Sequence, residues 1–255
     1  MLNNYKLSII KNMTTEPTLS NYEVAVQDFQ RARREASIQQ ILARLRGKSD
    51  TLLCYDDVRQ QLRAGDGVKR GLQEIPLEKI VGSVGRYQDF TRSFLPKKNS
   101  DQERWARVKT AIAELKGIPP IEVYQLGDAY FVIDGNHRVS VARQLGSDSI
   151  SAYVTEVKTR VPLTADDDPN LVINKARYAE FLERTNLDHL FPEADLLMTF
   201  GGQYKLLLQQ IESECRLLSQ PESEQCLEDK WEEAVVKWYE DVYLPIIQII
   251  RELGV

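Results

Sequence analysis

The chain has few of the residues that build metal centres or cross-linked scaffolds. Its three cysteines, Cys54, Cys215 and Cys226, are too few and too scattered for a disulfide framework, which favours a reducing cytoplasm. Its two histidines, His137 and His189, exclude a His-rich metal site, and no cysteine has a neighbour at zinc-ligand spacing. A metal site made of protein ligands alone is therefore not expected. Mg²⁺ could still arrive with a nucleotide, because it needs few carboxylates when phosphate oxygens complete its coordination.

Long apolar runs and an excess of positive charge are also missing from the sequence. No run is long enough to cross a bilayer, and the N-terminus lacks the apolar core and cleavage site of a signal peptide. The formal net charge is −5, whereas proteins coated in nucleic-acid-binding charge are strongly basic. We therefore predict a cytoplasmic protein with no membrane partner.

The charge is nevertheless uneven along the chain. One N-terminal segment concentrates the basic side chains Arg31, Arg33, Arg34, Arg44, Arg46 and Lys48. These residues could bind DNA or RNA through its phosphates, or they could be a solvated helix face that pairs with acidic surface elsewhere. No aromatic or glycine-rich nucleic-acid motif accompanies them, so the solvated face is the preferred interpretation.

The most informative stretch is residues 130–146, with the sequence YFVIDGNHRVSVARQLG. Tyr130–Ile133 is typical of a short buried strand, Asp134–Asn136 of a turn, and Arg138–Leu145 of a helix that Gly146 ends. Such a turn leaves unpaired backbone N–H groups at the helix start, and these groups and the helix dipole favour an anion. The pattern therefore predicts a phosphate-binding turn.

Side chains at this turn add donors for the same ligand. The predicted phosphate ligands are Gly135, Asn136, His137, Arg138 and Ser140. Asp134 could hold Mg²⁺ or act as a base towards an acceptor hydroxyl, or it could be a turn former with no chemical task. The alternative for the whole stretch is an ordinary turn in which His137 caps the helix or packs.

The Asp-Gly-Asn-His-Arg turn, followed by a short helix and Leu-Gly, resembles the ParB/sulfiredoxin superfamily. Members of that superfamily carry Gly-x-His-Arg or Gly-x-Arg-Arg at this point. The resemblance extends to Ile75–Ile80 as a first strand and turn, to Pro120–Val123 as the strand that pairs with Tyr130–Ile133, and to Ile150–Val154 as a following strand. It covers roughly residues 73–157. The fold that it implies is α/β, with a small mixed-sheet core and helical extensions on both sides.

Branches of this superfamily differ in their chemistry. Sulfiredoxins use ATP and a cysteine at the position of Asn136, so sulfiredoxin chemistry is not supported. ParB proteins bind CTP, usually with a second arginine where this chain has His137. Free-serine kinases have an Asp-Gly-x-His-Arg turn and also need a catalytic carboxylate, for which Glu74 and Glu78 are the nearest candidates. Arg86 resembles the arginine after the first strand in ParB-like domains, which implies a second phosphate or partner contact.

Four regions are expected along the chain: a flexible N-terminus at 1–19, a helical region at 20–66, the ParB/sulfiredoxin-like domain at 67–160, and a mostly helical region at 161–255. Capping boxes at Ser20–Glu23 and at 100–103 predict helix starts. The first two helices, separated by a connection too long for a helix-turn-helix, are expected to form a plain helical hairpin.

Two features are predicted for the C-terminal region. Val161–Pro169 is the best linker candidate, and its acidic triplet Asp166–Asp168 is interpreted as a solvated turn and helix cap. Pro245 should kink or break the last helix, whose very apolar end, Leu244–Ile250, must be buried. We expect self-association, as a dimer through the C-terminal helices.

Three functions remain open. The first is a protein that binds ATP, ADP or CTP at the turn, with or without Mg²⁺, and acts as a kinase or hydrolase of the nucleotide. The second is a ParB-like regulator that binds nucleic acid and is switched by the binding of a nucleotide. It is weakened because no basic helix-turn-helix follows the core. The third is an interaction module without catalysis.

Overall fold

The computed structural model describes residues 19–47, 49–114, 117–167, 169–198, 201–219 and 228–254. Within these ranges, apolar runs between turns form six strands: β1 (Leu53–Cys54), β2 (Gly67–Pro76), β3 (Ile80–Ser83), β4 (Ile121–Leu126), β5 (Ala129–Asp134) and β6 (Ser149–Val157). They join in one mixed sheet in the order β1-β3-β5-β4-β6-β2. The predicted α/β core is therefore confirmed.

The centre of the sheet is a hairpin flanked by parallel neighbours. β4 and β5 pair antiparallel, which confirms the predicted pairing of Pro120–Val123 with Tyr130–Ile133, and Gly127 turns between them with φ 60°. β3 runs parallel to β5 on one side, and β6 runs parallel to β4 on the other. As a result, β3 and β5 end at the same edge of the sheet, where the predicted phosphate-binding turn follows β5.

Nine α-helices surround the sheet or follow it within the described ranges: α1 (Asn21–Leu45), α2 (Tyr55–Gln61), α3 (Gln102–Ala113), α4 (Asn136–Gln144), α5 (Pro169–Thr185), α6 (Leu187–Leu190), α7 (Tyr204–Leu218), α8 (Glu228–Lys237) and α9 (Leu244–Glu252). No helix in the described part of the chain is both long and apolar enough to span a bilayer. Of the region predicted as a flexible N-terminus, residues 1–18 lie outside the described ranges.

The two predicted capping boxes have different outcomes. At α1 the box is confirmed, because Glu23 N–H donates to Ser20 Oγ at 3.2 Å and Ser20 N–H donates to Glu23 Oε2 at 2.8 Å. At 100–103 the predicted helix start is confirmed, because α3 begins at Gln102, but the capping box is wrong, since the helix cap is Asp101 and makes no side-chain capping bond. The Asp101 carboxylate instead accepts a hydrogen bond from Arg86.

Buried side chains cover both faces of the sheet. Adjacent residues of β5 point in opposite directions, so Val132 and Phe131 belong to different clusters. The Val132 cluster packs against Val139 and Ala142 of α4. The Phe131 cluster packs against α2 and α5, in part through the ring of Tyr55. Helix α4 is thereby fixed against the sheet.

Helix α1 packs on α3 rather than forming the predicted hairpin with α2. Leu53–Cys54, between α1 and α2, instead pairs with β3 as an edge strand. The Phe29 ring meets Trp105 edge-on with 5.8 Å between centroids, and both side chains are fully buried. This contact holds α3 beside the start of α4.

The C-terminal region has a core of its own, in which Phe181, Tyr204, Ile211, Cys215 and Trp238 are buried. Cys215 is disulfide-bonded, although the cysteine count predicts no disulfide framework.

The predicted linker, Val161–Pro169, is only partly a solvated turn, because several of its side chains are buried. The buried carboxylate of Asp167 accepts from Lys175 Nζ at 2.5 Å and from Thr164 N–H at 2.9 Å, which ties the segment to α5. Asp168 lies outside the described residues.

The last helix continues through Pro245 without breaking. A π-helical segment, Trp238–Tyr243, directly precedes α9, as expected where a proline supplies no N–H to the helical ladder. The chain itself does not bury the apolar end of this helix, since Ile246, Ile249 and Leu253 are 51%, 57% and 72% exposed.

Candidate functional site

A single glycine makes the turn between β5 and α4. The strand extends to Asp134 and the helix already begins at Asn136, two residues earlier than predicted. Gly135 has φ 115°, and a Cβ at this position would overlap Ile121 Cγ2 and lie 2.9 Å from Ile121 Cβ. Only glycine meets both requirements without strain. The short turn places the side chains of Asn136 and His137 in the first turn of the helix.

A cleft of about 400 Å³ opens at this helix start, between α4 and α3. Its walls combine residues of the turn with one face of α3 and the segment before β4. The lining residues are Arg86, Arg104, Arg107, Val108, Ala111, Ile112, Gly117, Ile118, Pro119, Ile133, Asp134, Gly135, Asn136, His137 and Arg138. Val108 and Ile112 of α3, which pack against the buried Phe29–Trp105 cluster, thus also form a wall of the cleft.

Arg86, in the loop after β3, is held in a dense polar network. Its Nε donates to Asp89 Oδ2 at 2.9 Å, and its Nη2 donates to Asp101 Oδ1 at 2.9 Å. Its Nη1 lies 2.8 Å from Nε2 of His137. Both carboxylates are largely buried, so they fix the guanidinium in place. In spite of Arg86, burial raises the pKa of Asp101.

The contact with Arg86 determines the state of His137. Burial, together with the positive charges of Arg86 and Arg104, lowers the pKa of His137 to about 4. The ring is therefore neutral at pH 7. A guanidinium can only donate, so Nε2 must be the acceptor and the ring proton must sit on Nδ1. His137 Nδ1 is buried and has no hydrogen-bond partner among the described residues.

Unpaired polar atoms cluster around this histidine. Besides His137 Nδ1, Asn136 Oδ1 and Asp101 Oδ2 are buried without a partner. Buried polar groups are nearly always hydrogen-bonded in folded proteins, and an orphaned group costs roughly 1–3 kcal/mol. Of these three residues, Asn136 and His137 also line the cleft.

Arg138 and Asp134 form an ion pair beside the cleft. Arg138 Nη1 also donates to the carbonyl oxygens of Pro119 at 3.2 Å and Pro120 at 2.5 Å. The guanidinium therefore fastens the turn to the segment that enters β4. It lines the cleft, but it could bind a phosphate with two nitrogens only by exchanging these bonds.

The structure does not bring Ser140 or Glu74 to the cleft. Ser140 is 1% exposed, and its Oγ accepts a hydrogen bond from Trp105 Nε1 at 2.9 Å. Glu74 lies on β2 at the far edge of the sheet, where it accepts hydrogen bonds from Ser149 and Ser151. The remaining predicted ligands, from Gly135 to Arg138 together with Arg86, do line one cleft.

Two cations of the cleft are absent from the sequence-based list of ligands. Arg104 and Arg107, one helical turn apart on α3, both line it. Arg107 is paired with Glu103, whereas Arg104 makes no ion pair with any residue in the described ranges. The sequence does contain a signal for Arg104, because Arg104, Val108 and Ala111 recur at helical spacing on one face of α3.

Two of the basic residues of α1 are engaged by neighbouring side chains. Arg31 pairs with Asp28, and Arg33 Nε donates to Asn99 Oδ1 at 3.1 Å. The three other predicted contacts with nucleic acid, Arg34, Arg44 and Arg46, are exposed, and Lys48 lies outside the described residues. No group of three metal-ligating side chains occurs where the structure describes the chain.

Comparison with known proteins finds a family that matches the part of the chain containing this cleft. Residues 63–166 match the family of the ParB N-terminal domain. Residues 63–166 are a ParB-like domain. That domain contains the sheet from β2 to β6, Arg86, α3 and the turn at Gly135. The chain is also similar to the crystal structure of sulfiredoxin from Arabidopsis thaliana, with 22% identity and a TM-score of 0.27, over 34% of this chain and 86% of that chain. Among curated proteins, the comparison finds no match. The resemblance to the ParB/sulfiredoxin superfamily is thus confirmed.

Proposed function

We propose that the cleft of the ParB N-terminal domain binds a nucleotide, with the phosphates at the start of α4. The observation that carries this proposal is the cleft itself, in which the open start of α4 meets Arg86, Arg138 and Arg104, the last of which forms no ion pair with a described residue. His137 and Asn136 also line the cleft, and a rotation of the histidine ring would be needed for its buried Nδ1–H to donate to a phosphate oxygen. The amide of Asn136 could accept from a ribose hydroxyl or a protonated phosphate.

Positive charge marks the end of the cleft at which the phosphates would bind. Gly135 has no side chain to cap α4, so the first backbone N–H groups of the helix are open to an anion. The lining contains Arg86, Arg104, Arg107 and Arg138 against one carboxylate, Asp134. Even with Arg86, Arg107 and Arg138 partly neutralised by their partners, this excess favours a multiply charged anion.

The opposite wall of the cleft favours an organic ligand over free phosphate. Val108, Ile112, Ile118, Pro119 and Ile133 present an apolar surface within the same space. A cavity of about 400 Å³ is within the usual range for small-molecule sites. A nucleotide joins a flat base to charged phosphates, which fits a site with one apolar and one cationic end. ATP, ADP and CTP are the ligands proposed.

Catalysis is a second step of the proposal. Asp134 is 58% exposed at the cleft and pairs with Arg138, so it could release that pair to hold Mg²⁺ beside bound phosphates. In such a complex the metal would neutralise phosphate charge and polarise the transferred group. Kinase or hydrolase activity then depends on an acceptor, and no second carboxylate lines the cleft among the described residues.

Thermal unfolding with ATP, ADP, CTP and GTP, with and without Mg²⁺, tests binding directly. A ligand at a hundred times its Kd should stabilise the protein by roughly 2.7 kcal/mol. Arg104→Ala is the informative variant, because Arg104 supports no other part of the fold through an ion pair. Loss of one charged hydrogen bond costs about 1.5–3 kcal/mol, so the affinity should fall roughly 10- to 100-fold.

A matched control separates the site from general charge. Arg34→Ala removes an exposed arginine of α1 that does not line the cleft, and it should leave nucleotide affinity unchanged. If no nucleotide raises the unfolding temperature of the wild type, the proposal is wrong. If binding is found, release of inorganic phosphate or phosphorylation of an added hydroxyl acceptor distinguishes an enzyme from a nucleotide-binding regulator.

A further inference from the structure

Helix α1 precedes the ParB-like domain in the sequence, yet it packs against side chains that form the wall of the cleft. Phe29 of α1 meets Trp105 of α3 edge-on, and both side chains are fully buried. Val108 and Ile112 of α3 pack against the same cluster and also line the cleft. The contact between α1 and α3 and the apolar wall of the cleft therefore share one layer of side chains.

An ion pair fixes the position of α1 along α3. Lys109 Nζ donates to Asp28 Oδ2 at 2.6 Å and lies 5.6 Å from the centre of the Trp105 ring. The side chains of Lys109 and Asp28 are 18% and 23% exposed, so solvent screens this pair less than an ion pair on the open surface. Gln30 and Gln102 add a hydrogen bond between the same two helices. Helix α1 is thus held in one register on α3.

Helix α1 also supports the segment between β3 and α3, which carries Arg86. Leu95 of this segment is buried against two alanines of α1. Arg33 Nε donates to Asn99 Oδ1 at 3.1 Å, two residues before the Asp101 carboxylate that holds Arg86. Contacts from α1 therefore reach a cationic part of the cleft as well as its apolar wall.

Helix α4 meets the same buried cluster. Val141 of α4 is buried together with Phe29 and Trp105, and Trp105 Nε1 donates to Ser140 Oγ at 2.9 Å. Phe29 thus belongs to a cluster that joins α1 to both helices of the cleft. Because protein cores are closely packed, the distance between these two helices depends on how the cluster is filled.

Little apolar surface holds α1 in place. Besides Phe29, the buried residues of this helix are Ala25, Ala32 and Ala36. Alanine buries far less apolar area than a large aliphatic or aromatic side chain, so the hydrophobic contribution of α1 is small for a helix of 25 residues. An element held in this way can open locally while the sheet stays folded.

We propose that α1 regulates the nucleotide cleft, with Phe29 and Asp28 as positioning residues. Docked α1 holds α3 and α4 at the spacing that binds the ligand, and release of α1 loosens both walls and lowers the affinity. This inference rests on the proposed binding of a nucleotide. Since coupling between two equilibria is reciprocal, bound nucleotide in turn stabilises the docked helix by the same factor.

Titration of the full chain with ATP, ADP and CTP by calorimetry measures the first half of this coupling. Phe29→Ala should lower the nucleotide affinity about tenfold or more, and Phe29→Leu, which refills most of the space, should restore most of it. Asp28→Ala removes no buried apolar group and should weaken binding about threefold, so it provides the test if Phe29→Ala does not fold. Ile38→Ala, at a side chain 58% exposed on α1, is the matched control and should bind as the wild type does.

Hydrogen–deuterium exchange separates positioning of the cleft from general stability. With saturating nucleotide, exchange of the α1 amides should slow about tenfold, and the amides of α7, in the separate C-terminal core, should slow less. If nucleotide does not slow exchange in α1, or if folded Phe29→Ala and Asp28→Ala bind as tightly as the wild type, this inference is overturned and the proposed function stands. A wild type that binds none of the three nucleotides overturns both.

Discussion

Arg86 Nη1 donates a hydrogen bond to His137 Nε2 across 2.8 Å, and this contact joins the loop after β3 to the first turn of α4. Asp89 and Asp101 occupy the other nitrogens of the guanidinium. Since arginine keeps its proton at all accessible pH values, the direction of the bond to His137 is fixed. The histidine is thereby held as a neutral donor whose Nδ1–H has no protein partner.

The state of His137 can be measured without any ligand. The chain has two histidines, so ¹⁵N-detected NMR of labelled protein gives two imidazole patterns, and His137→Gln assigns them. We expect His137 to carry its proton on Nδ1 and to stay neutral from pH 8 down to about pH 5, because its pKa is about 4. An Nε2–H tautomer, or a midpoint above pH 6, would show that Arg86 does not donate to this ring.

Stability should depend on pH through the same residue. The pKa of His137 is about 4 in the folded state and near 6.5 unfolded, so between these values the unfolded chain binds a proton that the folded chain does not. This contribution to the free energy of unfolding is therefore lost as pH falls, by about 2 kcal/mol between pH 7 and pH 5. Urea unfolding of the wild type and of His137→Gln at both pH values measures the difference. His189→Gln, at an exposed histidine, is the control.

Gly135 should tolerate no side chain. Gly135→Ala would have to adopt φ 115° and displace Ile121, so we expect a loss of roughly 2–4 kcal/mol in stability. Gly146→Ala is a matched control, since Gly146 also has a positive φ of 72° but has nothing within 4 Å of the added Cβ. Backbone strain alone should cost about 1–2 kcal/mol there. Equal losses at the two positions, measured by urea unfolding, would contradict the crowding at Ile121.

Much of the fold follows from local sequence patterns. The apolar run of β5, the hairpin at Gly127 and the capping box at Ser20 are each encoded by adjacent residues, and the structure contains all three. The pairing of Leu53–Cys54 with β3 could not be predicted in this way, because a two-residue edge strand has no periodicity of its own. Tertiary contact with a neighbour, not propensity, defines it.

The site shows the same division between local and distant information. The Asp-Gly-Asn-His-Arg turn points to an anion site through local chemistry alone. The partners of its side chains come from elsewhere in the chain, so they were not predictable: Asp101 reaches Arg86, and the carbonyl groups before β4 hold Arg138. The capping-box pattern at 100–103 likewise predicted the helix start but not its cap, since the partner of Asp101 is Arg86, from a loop elsewhere in the chain.

Substitution of Ser140 tests the role predicted from the sequence against the role seen in the structure. If Ser140 were a phosphate ligand, its loss would weaken nucleotide binding. In the structure, Ser140 is instead the buried acceptor of a hydrogen bond from Trp105 Nε1. Its loss leaves that indole N–H unpaired, which should cost about 1–3 kcal/mol in stability and leave nucleotide affinity unchanged. Ser140→Ala is measured by urea unfolding and by nucleotide titration. In the double variant Ser140→Ala with Trp105→Phe, both polar partners are gone, so the combined loss should be smaller than the sum of the single losses. A drop in the nucleotide affinity of Ser140→Ala without a drop in stability would show that the hydroxyl belongs to the binding site.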